Sequence, residues 1–360
     1  MSEDGRRVPG GALHLRRAGV LLIVVAIAAS LVVPIVLGGK QALAALLHVS
    51  MQGYSGLLSL IVASWLARAV KLRLLLRQLG AHPGMARTWW ISLATDFAFV
   101  TTPAGVGGYV ASVYYLRSAG GASGSGATTI TAVDQGLDLV FFAFAVPIAG
   151  LALVWSGQSY VLTSFAFGAT ALTALLVVVA WFARHRVARW TFEPNVLTLR
   201  WPSLREKQRV LHRFCAKIGA HGALMLAGGP LFLSSTIGLT AVQWLTRYGV
   251  LWLALHLLGY DVAFALVFLL QVLVLHAALW TGVPAGGGGA EIGLSATLAL
   301  WVPPTSLATA LLLWRALTLY TGLAAGALAI ALLARRERHA AAHGPDANVS
   351  STIPTQSSHS

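Results

Sequence analysis

Between residues 18 and 338 the chain is a succession of apolar stretches of hydrocarbon length, separated by short basic loops, and some of those stretches carry arginine or aspartate. A stretch of about 20 apolar residues can cross a bilayer only as a helix, because lipid offers no partner for a free backbone N–H or C=O. Hydrophobic residues make up 57% of the chain and charged residues 10%, at a mean hydropathy of +0.75, which is too apolar for a water-soluble domain of this length. The fold class is therefore an all-α polytopic membrane protein. The formal charge of +14 does not point to nucleic acid, because the basic residues cluster beside apolar spans, as positive-inside topology and anionic lipid require.

Charge bias sets the threading. The basic N-terminus, residues 1–17, is cytoplasmic, and the run 18–38 is too long for a signal-peptide core and reads as a first span. The helix over 55–76 returns the chain, ending in Lys71, Arg73 and Arg77. Runs over 127–155 and 160–183 lead into a loop, 184–217, with nine Lys or Arg against Glu193 and Glu206; it is cytoplasmic and suited to anionic lipid. One outward crossing lies in 222–258 and a last span in 306–334, before Arg335, Arg336 and Arg338. Residues 339–360, rich in Ser, Thr, His and Ala, read as a disordered tail, and both termini are cytoplasmic.

Two segments, 88–116 and 262–302, must each begin and end on one side, with a Pro-Gly cluster in the middle. In the first, each arm is about 11 to 15 residues, short for a crossing at 1.5 Å per residue. Both segments read as re-entrant hairpins, entering from opposite faces. The expectation is about six full spans plus these two hairpins within a single transmembrane domain, 18–338; eight spans is the alternative.

The halves repeat each other. Trp65-Leu66-Ala67-Arg68 recurs as Trp244-Leu245-Thr246-Arg247, and Leu79-Gly80 recurs as Leu258-Gly259. At a slightly larger offset, Pro103-Ala104-Gly105-Val106-Gly107-Gly108 falls on Pro284-Ala285-Gly286-Gly287-Gly288-Gly289, and Asp134 on Arg315. Units at 55–155 and 224–334, threaded in opposite senses, make an inverted repeat, the architecture of transporters with a site at mid-bilayer. Runs of glycine are poor helix formers, so the clusters read as breaks that gate, and the half-helix starting near Ala290 would aim its positive end at an anion.

Ionisable groups inside lipid seek partners. Arg68, Arg247 and Arg315 are the buried cations expected to matter; Asp96, Asp134, Asp138 and Glu291 are the anions. Asp134 and Asp138, four residues apart, share a helix face and need a cation between them or a proton on one. Arg315 would pair with Glu291 or Asp138. Lys71 and Arg73 read as anchors that snorkel to the surface. His256 and His276 lack a third ligand, the single Cys215 excludes an intrachain disulfide, and no nucleotide-binding motif is present, so neither metal nor cofactor is expected.

The run Pro284 to Glu291, followed by Leu313-Trp314-Arg315, resembles the signature of the lysylphosphatidylglycerol synthase transmembrane, or flippase-like, family, in which a Pro-Gly-Gly-x-Gly-x-x-Glu motif precedes a helix bearing arginine. The first half departs from that pattern. It lacks the family's glutamate near Gly108 and arginine near Ala111 or Ser112, and has Gln135-Gly136-Leu137-Asp138 where Arg-x-x-Asp is usual, so that Asp138 alone matches. The resemblance implies a protein of the cell membrane that moves or binds anionic or polyprenyl-linked lipids. Lysyl transfer in that family belongs to a separate soluble domain, which residues 339–360 do not contain, so an enzyme is not expected.

The reading is a translocase without its own ATPase. Arg68, Arg247 and Arg315 hold an anionic headgroup, Glu291 and Asp138 balance charge or relay protons, and the loops of Pro103, Gly105, Gly107 and Gly108 and of Pro284 and Gly286 to Gly289 gate. Two rivals are an intramembrane enzyme acting on a lipid phosphate through Asp134 and Asp138, and a non-transporting scaffold for an envelope biosynthesis enzyme.

Overall fold

A computed structural model describes residues 10–157, 164, 168 and 202–342, and every regular element among them is helical. The span expected at 160–183, most of the basic loop and most of both termini lie outside the described residues. The chain runs as α1 (Gly10–Leu46), α2 (Met51–Gln78), α3 (Met85–Thr101), α4 (Val106–Ser118), α5 (Gly124–Trp155), α6 (Pro202–Leu226), α7 (Gly229–Leu257), α8 (Phe264–Trp280), α9 (Gly289–Leu298), α10 (Pro304–Arg315) and α11 (Thr321–Ala342). Residues 339–342, read from sequence as tail, continue α11.

Three stretches, Val24–Leu46, Gly124–Trp155 and Pro304–Arg338, are long and apolar enough to cross a bilayer, and α6 with α7 would add a fourth. At 28 residues, α2 is also long enough, but it carries Arg68, Lys71, Arg73 and Arg77. Large apolar side chains such as Val36, Val110, Phe144, Ile148 and Leu231 face outward, as a protein dissolved in lipid requires. The segment 222–258 holds one long helix, α7, of 29 residues. The first residues of the segment end α6, the chain bends by 96°, and α7 starts at Gly229.

Local chemistry explains why the repeated motifs fold alike. After α2, Gly80 adopts φ 81°, its N–H donates to Arg77 O and that of Ala81 to Leu76 O; after α7, Gly259 adopts φ 88°, with the matching bonds to His256 O and Leu255 O. Both are glycine caps that satisfy the last carbonyls of a helix. The two Pro-Gly clusters also converge on one shape: Pro103–Gly105 and Pro284–Gly286 each form a single 3-10 turn. Ala104 at φ 49° and Ala285 at φ 56° are the non-glycine residues with positive φ among those described. Each turn joins a helix of 17 residues, α3 or α8, to a shorter one, α4 of 13 or α9 of 10. At 1.5 Å per residue α9 reaches about 15 Å, half the hydrocarbon thickness. The two turns lie against each other.

Helices α2 and α7 pack along each other antiparallel. Gly53 faces Leu257, Gly56 faces Leu253 and Leu60 faces Gly249, while Ser64 Oγ donates to Gln243 O at 2.9 Å. Ser64 and Gln243 are 179 residues apart, the spacing of the repeated Trp-x-x-Arg, so equivalent positions meet where the helices cross. Helix α1 lies against α10, with Thr309 Oγ1 donating to Ala42 O at 3.3 Å and Ser30 bonded to Tyr320 at 2.9 Å. It also covers the second turn closely: a Cβ on Gly287 would sit 2.3 Å from Ala26 O.

Two apolar clusters divide the interior. Along α2, Leu57 and Ile61 belong to one and Leu72, Leu75 and Leu76 to the other; along α5, Val146, Ala149 and Leu153 join the first, Ala127 and Ile130 the second. Between these blocks each helix carries its charge, Arg68 and Lys71 on α2 and Asp134 and Asp138 on α5. The polar band thus sits at the same level on both helices, sealed on each side by hydrocarbon.

Candidate functional site

The stripe of α2 that faces inward runs through Leu57, Ile61, Ser64, Arg68, Lys71 and Leu75, a spacing of three and four that keeps one face buried. Arg68 and Lys71 therefore point into the bundle. Arg68 pairs with Asp96 of α3 and brings Nη2 within 3.5 Å of Asp134 Oδ2. Lys71, wholly buried, has Nζ 2.7 Å from Asp134 Oδ1 and 3.3 Å from Asp138 Oδ1. The two aspartates of α5 thus have a cation between them, one of the two arrangements their spacing calls for, the other being a proton on one carboxylate. Lys71 was expected to snorkel; instead it occupies the place between the carboxylates that a metal would need.

The second half closes the chain of charges. Trp244 Nε1 donates to Asp138 Oδ1 at 2.9 Å, and Arg247 Nη1 lies 3.4 Å from Asp96 Oδ2. Starting at Arg247, the contacts pass through Asp96, Arg68, Asp134, Lys71 and Asp138 to Trp244, which is three residues from Arg247 on α7. Cations and anions alternate around this ring and balance. The repeated Trp-x-x-Arg motif supplies both of its ends from α7, and Arg68 from α2.

A separate pair sits beside the second turn. Arg315, at the end of α10, pairs through Nε with Glu291 of α9, its Nη1 is 3.4 Å from Ala285 O, and its guanidinium lies 4.4 Å from the Trp314 ring centre. Glu291 is fully buried. It occupies the first turn of α9, where a carboxylate suits the positive end of the helix, so the charge expected there from a ligand is supplied by the chain itself. Arg315 Nη2 and Glu291 Oε2 are buried without a hydrogen-bond partner. Directly after Arg315 the backbone makes a π-helical turn over Ala316–Tyr320, a device that re-aims the flanking side chains and recurs at functional sites.

Both groups of charges border one cavity of about 690 Å³. Arg68, Arg247, Arg315 and Asp138 all line it, together with Asp96, and so do Ala104 and Gly105 of the first turn and Ala285 and Gly286 of the second. Glu291 stands behind Arg315. Gly107 and Gly108 lie in the first turn of α4, where Gly107 N–H donates to Thr102 Oγ1 at 2.9 Å and Gly108 packs on the Phe99 ring. Gly287 meets α1, while Gly288, at φ 79°, and Gly289 lead into α9. The rest of the lining is largely apolar and aromatic, and includes Phe142, Tyr248 and Trp314. A volume of this size with a few convergent polar groups is that of a ligand site.

His276 borders the same cavity, its Nδ1 2.7 Å from Val272 O; His256 stacks on Trp252. Among the described residues no group of three His, Cys, Asp or Glu is arranged to hold a metal ion.

The chain is 26% identical over 282 residues to a UPF0104 membrane protein of Archaeoglobus fulgidus, an overlap covering 75% of this chain and 83% of that one. Residues 21–326, which include every helix that lines the cavity, match the family described as the lysylphosphatidylglycerol synthase TM region. The chain belongs to the lysylphosphatidylglycerol synthase transmembrane-region family.

Proposed function

We propose that this protein is a flippase-like translocase that binds the headgroup of an anionic lipid or lipid-linked intermediate in the cavity between its two turns. The observation that carries the reading is the single cavity bordered by three arginines from three different helices and by both Pro-Ala-Gly turns. Guanidinium is the side chain best matched to phosphate, since its planar fork donates two parallel hydrogen bonds and keeps its charge in a dry site. Among the described residues Arg315 Nη2 is buried with no hydrogen-bond partner and Arg247 is ion-paired with one carboxylate, so both have donors to offer. The aromatic and aliphatic wall suits the first carbons of an acyl or prenyl chain.

In this reading the antiparallel crossing of α2 and α7 marks the axis of an inverted repeat, the turns are tips of opposed re-entrant hairpins, and the site lies near mid-bilayer in the cell membrane, with both termini cytoplasmic. Small movements of one hairpin against the other would expose the headgroup to one face and then to the other. No chemical step is required of the chain.

The test is a scrambling assay in proteoliposomes with phosphatidylglycerol carrying a headgroup-side fluorophore, quenched from outside. Wild-type protein should render more than the outer-leaflet half accessible within minutes, and Arg247→Gln, whose side chain is the most loosely held of the three, should slow this at least tenfold. Quenching that stops at half with the wild type, for this lipid and for a polyprenyl phosphate alike, would overturn the reading.

A further inference from the structure

The charges bordering and backing the cavity cancel: Arg68, Lys71, Arg247 and Arg315 are matched by Asp96, Asp134, Asp138 and Glu291. A headgroup bearing net negative charge would unbalance this site, and an uncompensated charge shut away from water is strongly disfavoured. We infer that binding an anionic headgroup takes up one proton, and that the proton lands on Asp138. This rests on the reading of the cavity as a headgroup site and adds to it the means of coupling.

The carboxylates do not hold their charge equally well. Asp96 is paired with both Arg68 and Arg247, and Asp134 with both Lys71 and Arg68. Glu291 is sealed against Arg315 with no exposed surface. Among the described residues Asp138 is ion-paired with Lys71 alone, at 3.3 Å and shared with Asp134, and it accepts the neutral Trp244 N–H; its side chain is the most exposed of those ion-paired carboxylates, at 16%. It also lies one helical turn from Asp134, a like charge on the same face. It therefore combines the weakest cationic support with access to the cavity.

When a phosphodiester engages Arg247 and Arg315, part of the positive potential that keeps the nearby carboxylates ionised is taken by the ligand. Asp138 then takes up a proton supplied by the bulk buffer through the open side of the cavity; its O–H forms as the phosphodiester arrives, no hydroxide is left behind, and the site returns to balance. On release toward the other face the proton leaves with the ligand. Other groups facing Asp138 are Arg68 and Lys71 from α2, Asp96 from α3, and Tyr248 from α7. From α8 come His276 and the neutral Gln271. His276 is the competitor, because its Nε2 is left open when Nδ1 donates to Val272 O.

The experiment is calorimetric binding of dioctanoyl phosphatidylglycerol to the detergent-solubilised full chain, in buffers of different ionisation enthalpy, near pH 7. That lipid is a phosphodiester and does not itself titrate there. The expected result is uptake of close to one proton per lipid bound, with affinity falling about tenfold per pH unit where uptake is complete. Asp138→Asn should bind with no uptake and no pH dependence, and dioctanoyl phosphatidylcholine, whose charges already cancel, should bind without uptake. Tight binding of phosphatidylglycerol by the wild type with no proton would overturn the coupling and leave the headgroup site standing. Uptake that survives in Asp138→Asn but is lost in His276→Gln would overturn the assignment to Asp138. Binding of the phosphocholine lipid alone, or of neither, would overturn the coupling together with the anionic reading of the cavity.

Discussion

In the first half of the chain, Arg68, Lys71, Asp96, Asp134 and Asp138 share partners across three helices, whereas the second half has one exclusive pair, Glu291 with Arg315, and lends Arg247 and Trp244 to the first. A shared web can lose or exchange a contact and re-pair within itself. An exclusive pair cannot: remove one member and the other is left charged in hydrocarbon. The glycine caps and the turns at Ala104 and Ala285 match in backbone geometry, yet the charges around them are distributed differently. Matching turns thus do not impose a matching arrangement of charge. The web can re-pair within itself, while the pair ties α9 to α10 beside the second turn.

The largest effect should come from breaking the exclusive pair. Arg315→Ala leaves Glu291 buried without a cation and should cost about 3–5 kcal/mol of stability, read as an early thermal transition in detergent. Replacing both partners with leucine should recover most of that loss, since a buried pair exchanged for apolar side chains of similar size is often neutral. A double variant as unstable as the single one would show that the pair is bound into a wider network, and the contrast between the halves would fail.

Next in size is Lys71→Met. It strands two like charges, but Arg68 remains 3.5 Å from Asp134 and the cavity gives Asp138 access to water, so a loss of about 2 kcal/mol is expected, below that of Arg315→Ala. Adding Asp138→Asn should restore much of it, by removing one of the two repelling carboxylates. No restoration would mean that Lys71 serves Asp134 alone and that the ring is not closed through Asp138. Smaller again is Arg247→Gln. Its side chain is 23% exposed and holds one carboxylate at 3.4 Å, so the melting temperature should move little while lipid binding falls.

Much of this contrast was legible before any coordinates. The Pro-Ala-Gly runs read as helix breaks, and Asp134 with Asp138 called for a cation between them or a proton on one, whereas the repeated Leu-Gly stood out as a repeat and not as a pair of helix caps. Lys71 escaped because its place near a run of basic residues suggested a surface anchor, although its position three residues after Arg68, on the face that already held Leu57, Ile61 and Ser64, pointed inward. The bend of 96° between α6 and α7 was not legible either, since an apolar run looks continuous whether or not Gly228 and Gly229 turn it. The π turn after Arg315 leaves no mark in composition, because it depends on how α10 and α11 pack rather than on which residues they contain.

The smallest effect separates the two turns themselves. Ala104 and Ala285 hold φ of 49° and 56°, a left-handed backbone that an L-residue with a Cβ adopts at about 1–2 kcal/mol and that glycine adopts freely. Glycine at either position should therefore raise stability slightly, by less than that amount, because the unfolded chain also gains freedom. The halves should respond alike in melting temperature if the turns are equivalent in backbone only. They should differ in lipid binding, because the Ala285 carbonyl reaches Arg315 at 3.4 Å, whereas among the described residues no arginine is hydrogen-bonded to the Ala104 carbonyl. A gain in stability at both sites, with weakened binding only for Ala285→Gly, would tie the strained turn to the arginine it positions. Equal loss of binding at both would mean that the two tips act on the headgroup as one gate, and the division of labour between the halves would have to be given up.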